Sequence, residues 1–149
     1  MNLTTLLQIF LAFVGTVGFS IIFNVPKKEL LLCGLAGAGG WLIYTVTILF
    51  LSDAVVVATF FAASVVTCIS RFVSTWRKMP ATVYMMPGII PLVPGIGIYY
   101  TMFHAVMGEN TEALMWGFQT LRIAGVIALG LLVVLTLPRK LFLIGKISS

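Results

Sequence analysis

The feature that most constrains how this chain folds is a cluster of helix-breaking residues inside an apolar segment. The cluster is Met86-Pro87-Gly88-Ile89-Ile90-Pro91-Leu92-Val93-Pro94-Gly95, which contains three prolines and two glycines. Each proline removes a backbone N–H group and disfavours the α conformation at the residue before it. Inside a bilayer, irregular backbone is tolerated only where protein buries it or where it lines a water-filled cavity. We therefore expect the function of this chain to lie at this cluster.

The composition is that of an integral membrane protein. Of 149 residues, 60% are hydrophobic and 9% are charged, and the mean hydropathy is +1.15. Because a helical span needs roughly 20 apolar residues, the sequence predicts an all-α, polytopic transmembrane bundle in a single domain, 1–149, with about five spans. The predicted spans are 3–23, 30–50, 54–70, 81–107 and 113–137. We interpret the first as a retained span and not a signal peptide, since no positive charge precedes it and no small-residue cleavage site follows it.

Loop charges predict the orientation of the chain. Basic residues follow the first, third and fifth predicted spans, whereas Asp53, Glu109 and Glu112 follow the second or the fourth. The basic residues are Lys27, Lys28, Arg71, Arg77, Lys78, Arg139, Lys140 and Lys146. By the positive-inside rule, the amino terminus lies outside and the carboxyl terminus in the cytoplasm of a cell whose cytoplasmic (inner) membrane holds the protein. The net charge of +5 then reflects topology and contact with anionic lipid, and it does not indicate nucleic-acid binding.

The proline cluster predicts that the fourth span, 79–108, is broken or re-entrant. A continuous helix from Pro80 to Gly108 would be about 43 Å long, against a hydrocarbon core of about 30 Å. We expect unwound backbone over 86–93, with one half-helix ending near Met85 and another beginning at Pro94.

Two half-helices that meet inside the membrane suit a zwitterionic or anionic ligand. The free amides of Gly95, Ile96 and Gly97 would bind a carboxylate, and the carbonyls near Met85 would suit an ammonium group or a coupling cation. The predicted substrate-binding residues are Pro87, Gly88, Pro91, Pro94, Gly95, Ile96, Gly97 and Arg122. The alternative is a proline-kinked structural helix, or a re-entrant hairpin, without a ligand.

Three ionisable residues are candidates for the transport chemistry. Arg122 is the only charged residue predicted deep in the bilayer, where it serves either structural pairing or anion handling. His104 has no Cys, Glu or second His at ligand spacing, so we expect no metal site; it is either a hydrogen-bonded structural histidine or a proton-coupling group. Asp53 is either a helix-capping carboxylate or a second coupling group. No nucleophile, base and oxyanion donors combine at these spacings, so we predict neither an enzyme nor a cofactor.

Small residues predict close helix packing, and aromatic residues predict the membrane interfaces. Ala12, Thr16, Ser20 and Asn24 recur every four residues on the first span, as do Ala54, Ala58 and Ala62 on the third. Trp76, Tyr84 and Trp116 are interpreted as interfacial anchors. Trp41 and Tyr44 lie deeper, where they either line a cavity or pack in the core. Cys33 and Cys68 are interpreted as small core residues.

Three motifs resemble those of a known family. They are Gly18-Phe19-Ser20-Ile21-Ile22-Phe23-Asn24-Val25-Pro26, Ile90-Pro91-Leu92-Val93-Pro94-Gly95-Ile96, and the last span closing on Leu137-Pro138. Together they resemble the threonine/serine exporter family, in particular the small subunit of its split, two-component bacterial members. The resemblance implies a secondary exporter, driven by the proton gradient, of small carboxylate-bearing metabolites: threonine, serine or a dicarboxylate such as succinate.

The resemblance also implies partners. A larger subunit of the same family would complete the exporter, and a homo-oligomer is a further option. The alternative function is a non-transporting membrane protein, either an assembly partner or a holin-like oligomer.

Overall fold

The computed structural model describes residues 3–51, 54–138 and 142, and these residues form helices and connecting turns without a β-strand. The helices are α1 (Leu3–Ile22), α2 (Leu30–Phe50), α3 (Val55–Arg77), α4 (Thr82–Ile89), α5 (Gly95–Val106) and α6 (Asn110–Thr136). Two 3₁₀ turns, Lys27–Glu29 and Ile90–Leu92, precede α2 and follow α4. The all-α prediction is confirmed.

The helices are long and apolar enough to cross a membrane four or five times. Four of them qualify singly, namely α1, α2 with its preceding turn, α3 and α6. The segments Thr82–Leu92 and Gly95–Val106 qualify together as a pair bent by 55°. The polytopic bundle with an interrupted fourth span is therefore confirmed.

Helix directions follow from the side chains that meet. Gly37 of α2 faces Thr16 of α1, whereas Trp41, further along α2, shares a cleft with Gln8, earlier on α1, so α1 and α2 run antiparallel. In contrast, α3 and α6 run parallel, because Gly130 meets Ala63 and the carbonyl of Val134 meets Arg71.

Because α3 and α6 run parallel, we can tell whether the bent pair of α4 and α5 crosses the bundle or returns to the end from which it started. The α4 helix begins beside the end of α3, and α5 ends beside the start of α6, which lies at the other end of the bundle. A re-entrant loop would instead return to the end from which it started. The bent pair therefore connects opposite ends, as a single broken crossing does. We call the end that contains Lys27, Lys28, Arg77 and Lys78 the basic end.

The predicted close-packing stripes on α1 and α3 are buried. Ala12, Thr16 and Ser20 lie against α2, and Ala58 and Ala62 are inaccessible. The hydroxyl groups of Thr16 and Ser20 donate to the carbonyls of Ala12 and Thr16, both at 2.7 Å, so both buried hydroxyls of the α1 stripe are paired. The stripe ends before Asn24, which lies beyond α1 with φ of 54°.

The third helix is longer than the predicted span. It continues past Ser70 to Arg77 and ends at Lys78 in the left-handed conformation, with φ of 55°. The Ser74 hydroxyl donates to the carbonyl of Met79 at 2.5 Å and closes this end. Arg71 was assigned to a loop, but it is helical and only 9% exposed.

The break is shorter than predicted and lies later in the chain. The backbone stays helical through Pro87 to Ile89, tightens into the 3₁₀ turn Ile90–Leu92, and becomes extended only at Val93, with ψ of 131°. The expectation that 86–93 is unwound was wrong for most of that range. Pro87 is tolerated because the thiol of Cys33 donates to the carbonyl of Val83 at 3.5 Å, and that carbonyl is the one that the missing N–H of Pro87 leaves without a helical donor.

Candidate functional site

The first part of the broken helix is packed inside the bundle. Pro87 is fully buried and Gly88 is buried. A Cβ atom on Gly88 would lie 2.9 Å from Val66 Cγ1 and 3.6 Å from Ala36 Cβ. The absent side chain therefore lets α4 approach both α2 and α3, and these two predicted site residues lie in the helix contact.

Pro91, in the 3₁₀ turn that precedes the break, lies at an open cleft. The cleft has a volume of about 250 Å³ and is lined by Pro91, Trp41 of α2, and Gln8, Leu11 and Ala12 of α1. Trp41 also packs against the central core of Ala62, Ala63 and Val66. Both proposed environments of Trp41, the core and a cavity wall, are therefore present.

The indole N–H of Trp41 has no partner in the part of the chain that the structure describes. Its Nε1 atom is buried, and no described acceptor lies within hydrogen-bonding distance. A buried donor without a partner is costly, especially in a protein surrounded by lipid. Trp41 lines the cleft beside the helix break, while its N–H lies beneath the accessible surface.

The second half-helix, α5, begins with two unpaired amides among the described residues where three were predicted. Pro94 precedes the first residue of α5. The N–H of Gly95 donates to the carbonyl of Val93 at 2.8 Å and is not free. The amides of Ile96 and Gly97 have no acceptor among the described residues. Ile96 is 71% exposed, so its end of α5 opens toward the outside of the bundle.

Gly97 has a packing role as well. A Cβ atom at this position would lie 2.3 Å from the hydroxyl oxygen of Thr120. The glycine therefore permits the close contact of α5 with α6.

Arg122 is exposed on α6 and lies in a different cleft. That cleft, of about 320 Å³, is lined by Arg122, Gln119, Ile123 and the first residues of α3, Ala54 to Val56. Its described lining contains no residue of the helix break, so the structure does not bring Arg122 together with Pro91 or Trp41. Asp53, the other candidate near this end of α3, lies outside the described residues.

His104 pairs with a carboxylate near the end of α5. Its Nδ1 atom lies 2.5 Å from Oε2 of Glu109, and its ring stacks on Tyr100, which in turn stacks on Trp116. His104 is therefore hydrogen-bonded, which fits both of its interpretations, and its partner was not predicted. Within the described ranges, no three His, Cys, Asp or Glu side chains are grouped as a metal site would need.

A buried ion cluster at the basic end was missed by sequence reasoning. Glu29 is 5% exposed and accepts from Nε of Arg77 at 3.0 Å and from the hydroxyl of Tyr84 at 2.8 Å. The cluster joins α2, α3 and α4. Tyr84 is fully buried, so its assignment as an interfacial anchor was wrong. The available signal was Glu29 itself, since it is an acidic residue among the basic residues of the first loop.

The fold and the interrupted helix together define a polytopic membrane protein whose fourth crossing is broken beside a cleft. Comparison with known proteins identifies the family. Residues 8–137 match the sequence model of the family described as Threonine/Serine exporter, ThrE, and the chain belongs to this family.

The chain is also similar to part of a longer protein. An uncharacterized protein of Haemophilus influenzae is 32% identical over 104 residues, which make up 70% of this chain and 35% of that protein. The chain thus spans about one third of the length of this relative. No solved structure matches.

Proposed function

We propose that this protein is a subunit of a secondary exporter that moves small carboxylate-bearing metabolites out of the cell. Threonine and serine are the first candidate substrates because the family is described by them, and a dicarboxylate such as succinate has the same anionic group. The observation that carries the proposal is the helix break at Val93 and Pro94, beside a cleft whose Trp41 N–H has no partner among the described residues.

The chemistry of the break suits a substrate that carries a carboxylate. Unpaired N–H groups at Ile96 and Gly97 lie at the positive end of the α5 dipole. The separate cleft at Pro91 is lined by Trp41 and by Gln8, whose amide both donates and accepts. A broken helix places such groups at membrane depth without a buried charge in the protein.

A larger partner subunit is part of the proposal. The α5 helix contains no buried residue and packs chiefly against α6, so its apolar side chains face away from the bundle. The clefts of Pro91 and of Arg122 also open at the surface of the chain. A second membrane subunit would cover both, and the relative of greater length is consistent with an exporter built from more than this chain.

Proton coupling is proposed for the pair of His104 and Glu109. This pair lies at the end of the broken crossing opposite the basic end, and a histidine side chain is a common proton-transfer group. A proton that enters there would alter the charge at the end of α5 without a metal or cofactor.

The proposal is tested by measuring efflux from cells. Deletion of this chain should raise the intracellular level of its substrate and slow its appearance outside, with threonine, serine and succinate measured side by side. Restoring the chain should restore efflux. Unchanged efflux of all three metabolites after deletion would contradict an exporter.

A variant at the break separates transport from membrane assembly. Pro94→Ala removes the restriction on Val93 and should abolish efflux while the protein remains in the membrane. Pro26→Ala, which replaces the proline before the first 3₁₀ turn and far along the chain from the break, is the matched control. A non-transporting assembly partner or a holin-like oligomer would retain its function with Pro94→Ala.

A further inference from the structure

A third cavity, larger than the clefts at Pro91 and Arg122, lies at the basic end of the bundle. It has a volume of about 720 Å³ and is bordered by the last turns of α3, the connection to α4, and the end of α6. Its polar lining includes Arg71, Lys78, Ser74, Thr75 and Thr82. The volume lies within the range of small-molecule sites, roughly 300–1,000 Å³.

Arg71 supplies a buried positive charge to this cavity. Its side chain is held in place, because Nη1 donates to the carbonyls of Val134 and Leu135 and the guanidinium carbon lies 4.4 Å from the centre of the Phe142 ring. Its Nε and Nη2 atoms have no acceptor among the described residues. The residue is only 9% exposed, so donors remain available on a side chain that is already oriented.

No described carboxylate neutralises this charge. The ion pairs formed within the described ranges are Arg77 with Glu29 and His104 with Glu109. Neither Arg71 nor Lys78 has a described carboxylate oxygen within salt-bridge distance. With only carbonyl partners, Arg71 keeps a net positive charge that an anion from outside the chain would neutralise.

The start of α4 adds to the positive potential. Thr82 is the first residue of this helix and lines the cavity. Its backbone N–H has no acceptor among the described residues, whereas those of Val83 and Tyr84 donate to Pro80 and Ala81. The helix dipole thus points its positive end toward the same space as the two cationic side chains.

We propose that this cavity is an oxyanion site that holds the carboxylate of the metabolite before it moves to the helix break. The carboxylate accepts from Arg71 as a charge-assisted hydrogen bond, from Lys78, and from the amide of Thr82. This inference rests on the proposed export function, because it places the first contact of the substrate at the end of the bundle predicted to face the cytoplasm. A phospholipid phosphate has the same oxyanion chemistry and is the other source that the experiment must distinguish.

The experiment measures binding directly, without transport. The full chain is placed in nanodiscs of phosphatidylcholine, and radiolabelled threonine and succinate are titrated. Three variants are compared: Arg71→Gln, Lys78→Asn and Lys28→Gln. Asparagine tolerates the left-handed backbone of Lys78, so this variant keeps the fold even if Arg71→Gln does not. Lys28 is exposed at the same end and is absent from the described cavity lining, so Lys28→Gln is the matched control.

The expected result is saturable binding of at least one acid that weakens about tenfold or more in Lys78→Asn and in Arg71→Gln. Binding should be unchanged in Lys28→Gln. Failure of both acids to bind, or equal binding in all variants, would overturn the site. If neither acid binds but phosphatidylglycerol raises the melting temperature of the wild type and not of Lys78→Asn, the site is a lipid site and the proposal is wrong.

The binding experiment tests the oxyanion site and the efflux experiment tests the exporter, so either proposal can be contradicted without the other. Charge-dependent binding by a chain whose deletion leaves efflux unchanged would support this site and contradict the exporter. Normal efflux that depends on the chain, without binding at the basic end, would contradict only the oxyanion site.

Discussion

The carboxylate of Glu29 is a buried charge that two neighbouring helices neutralise. Arg77 supplies the opposite charge, and Tyr84 supplies a neutral donor from α4. Because a buried carboxylate is costly unless each lone pair finds a donor, the three side chains fix how α2, α3 and α4 meet at the basic end. A residue at the edge of a loop thereby acts as a link between helices.

Removal of the tyrosine hydroxyl should destabilise the bundle. In Tyr84→Phe the carboxylate of Glu29 loses a donor at 2.8 Å, and we expect a cost of about 1–2 kcal/mol. The measurement is thermal unfolding in detergent. Tyr99→Phe is the control, since Tyr99 is 62% exposed and no described residue accepts from its hydroxyl. An equal loss of stability in both variants would show that the link to Glu29 contributes nothing.

Removal of the unpaired indole N–H of Trp41, unlike removal of the Tyr84 hydroxyl, should not destabilise the bundle. Trp41→Phe removes a donor that has no described partner, so stability should be unchanged or slightly higher. If a substrate oxygen accepts this donor, the KM for efflux should rise several-fold. Trp76→Phe, at a position 69% exposed, should leave KM unchanged. A KM that is the same in both variants would remove Trp41 from the site.

At the scale of the helices, glycine residues determine how closely neighbouring helices approach each other. Gly37 allows α2 to lie against Thr16 of α1, and Gly40 allows it to approach Val66 of α3. Lipid provides no hydrophobic drive between helices, so close approach and van der Waals packing hold these elements together. The broken helix depends on this contact, because α4 packs on the same part of α2.

Gly37→Ala should push α1 and α2 apart. Its Cβ atom would lie 2.0 Å from the hydroxyl oxygen of Thr16, and overpacking of this kind costs roughly 1–3 kcal/mol. Gly15→Ala is the control, since nothing lies within 4 Å of a Cβ atom there, and it should be neutral or stabilising by up to about 1 kcal/mol. Thermal unfolding in detergent gives both values, and a stable Gly37→Ala protein would mean that the two helices are not in close contact.

At the scale of the molecule, α3 and α6 run parallel. The broken segment that connects the end of α3 to the start of α6 must therefore cross from one end of the bundle to the other. The basic residues of the first and third connections then lie at one end, and the connection from α5 to α6 lies at the other. This arrangement agrees with the loop charges, which predict that the basic end is cytoplasmic.

The predicted orientation can be measured with single cysteines. In a Cys33→Ser, Cys68→Ser background, in which serine keeps a donor at position 33, Thr111→Cys should react with a membrane-impermeant maleimide added to intact cells. Lys28→Cys should react only after the cells are opened. Both positions are exposed in the structure, so accessibility within the protein is matched. The reverse pattern would place the amino terminus in the cytoplasm.

Much of the fold could be predicted because its causes are local. Long apolar runs specify helices that cross lipid, and prolines disturb the backbone at their own positions. The extent of the break could not be predicted, since Pro87 stays helical with the help of Cys33, whose thiol meets the carbonyl of Val83 from 50 positions away in the chain. The role of Arg122 at the break was not supported by its position, because it lies in a cleft formed by α3 and α6.

Membrane class, helical content and the location of the proline break thus follow from composition and from short-range sterics, which act within a few residues. Which buried groups pair is a property of the packed bundle. Glu29 meets Arg77 and Tyr84, which are separated from it by 48 and 55 positions, and Arg71 meets the carbonyl of Val134 from 63 positions away. Such contacts depend on how far each helix extends and on which face it turns to its neighbours. The three-dimensional packing of the helices sets both.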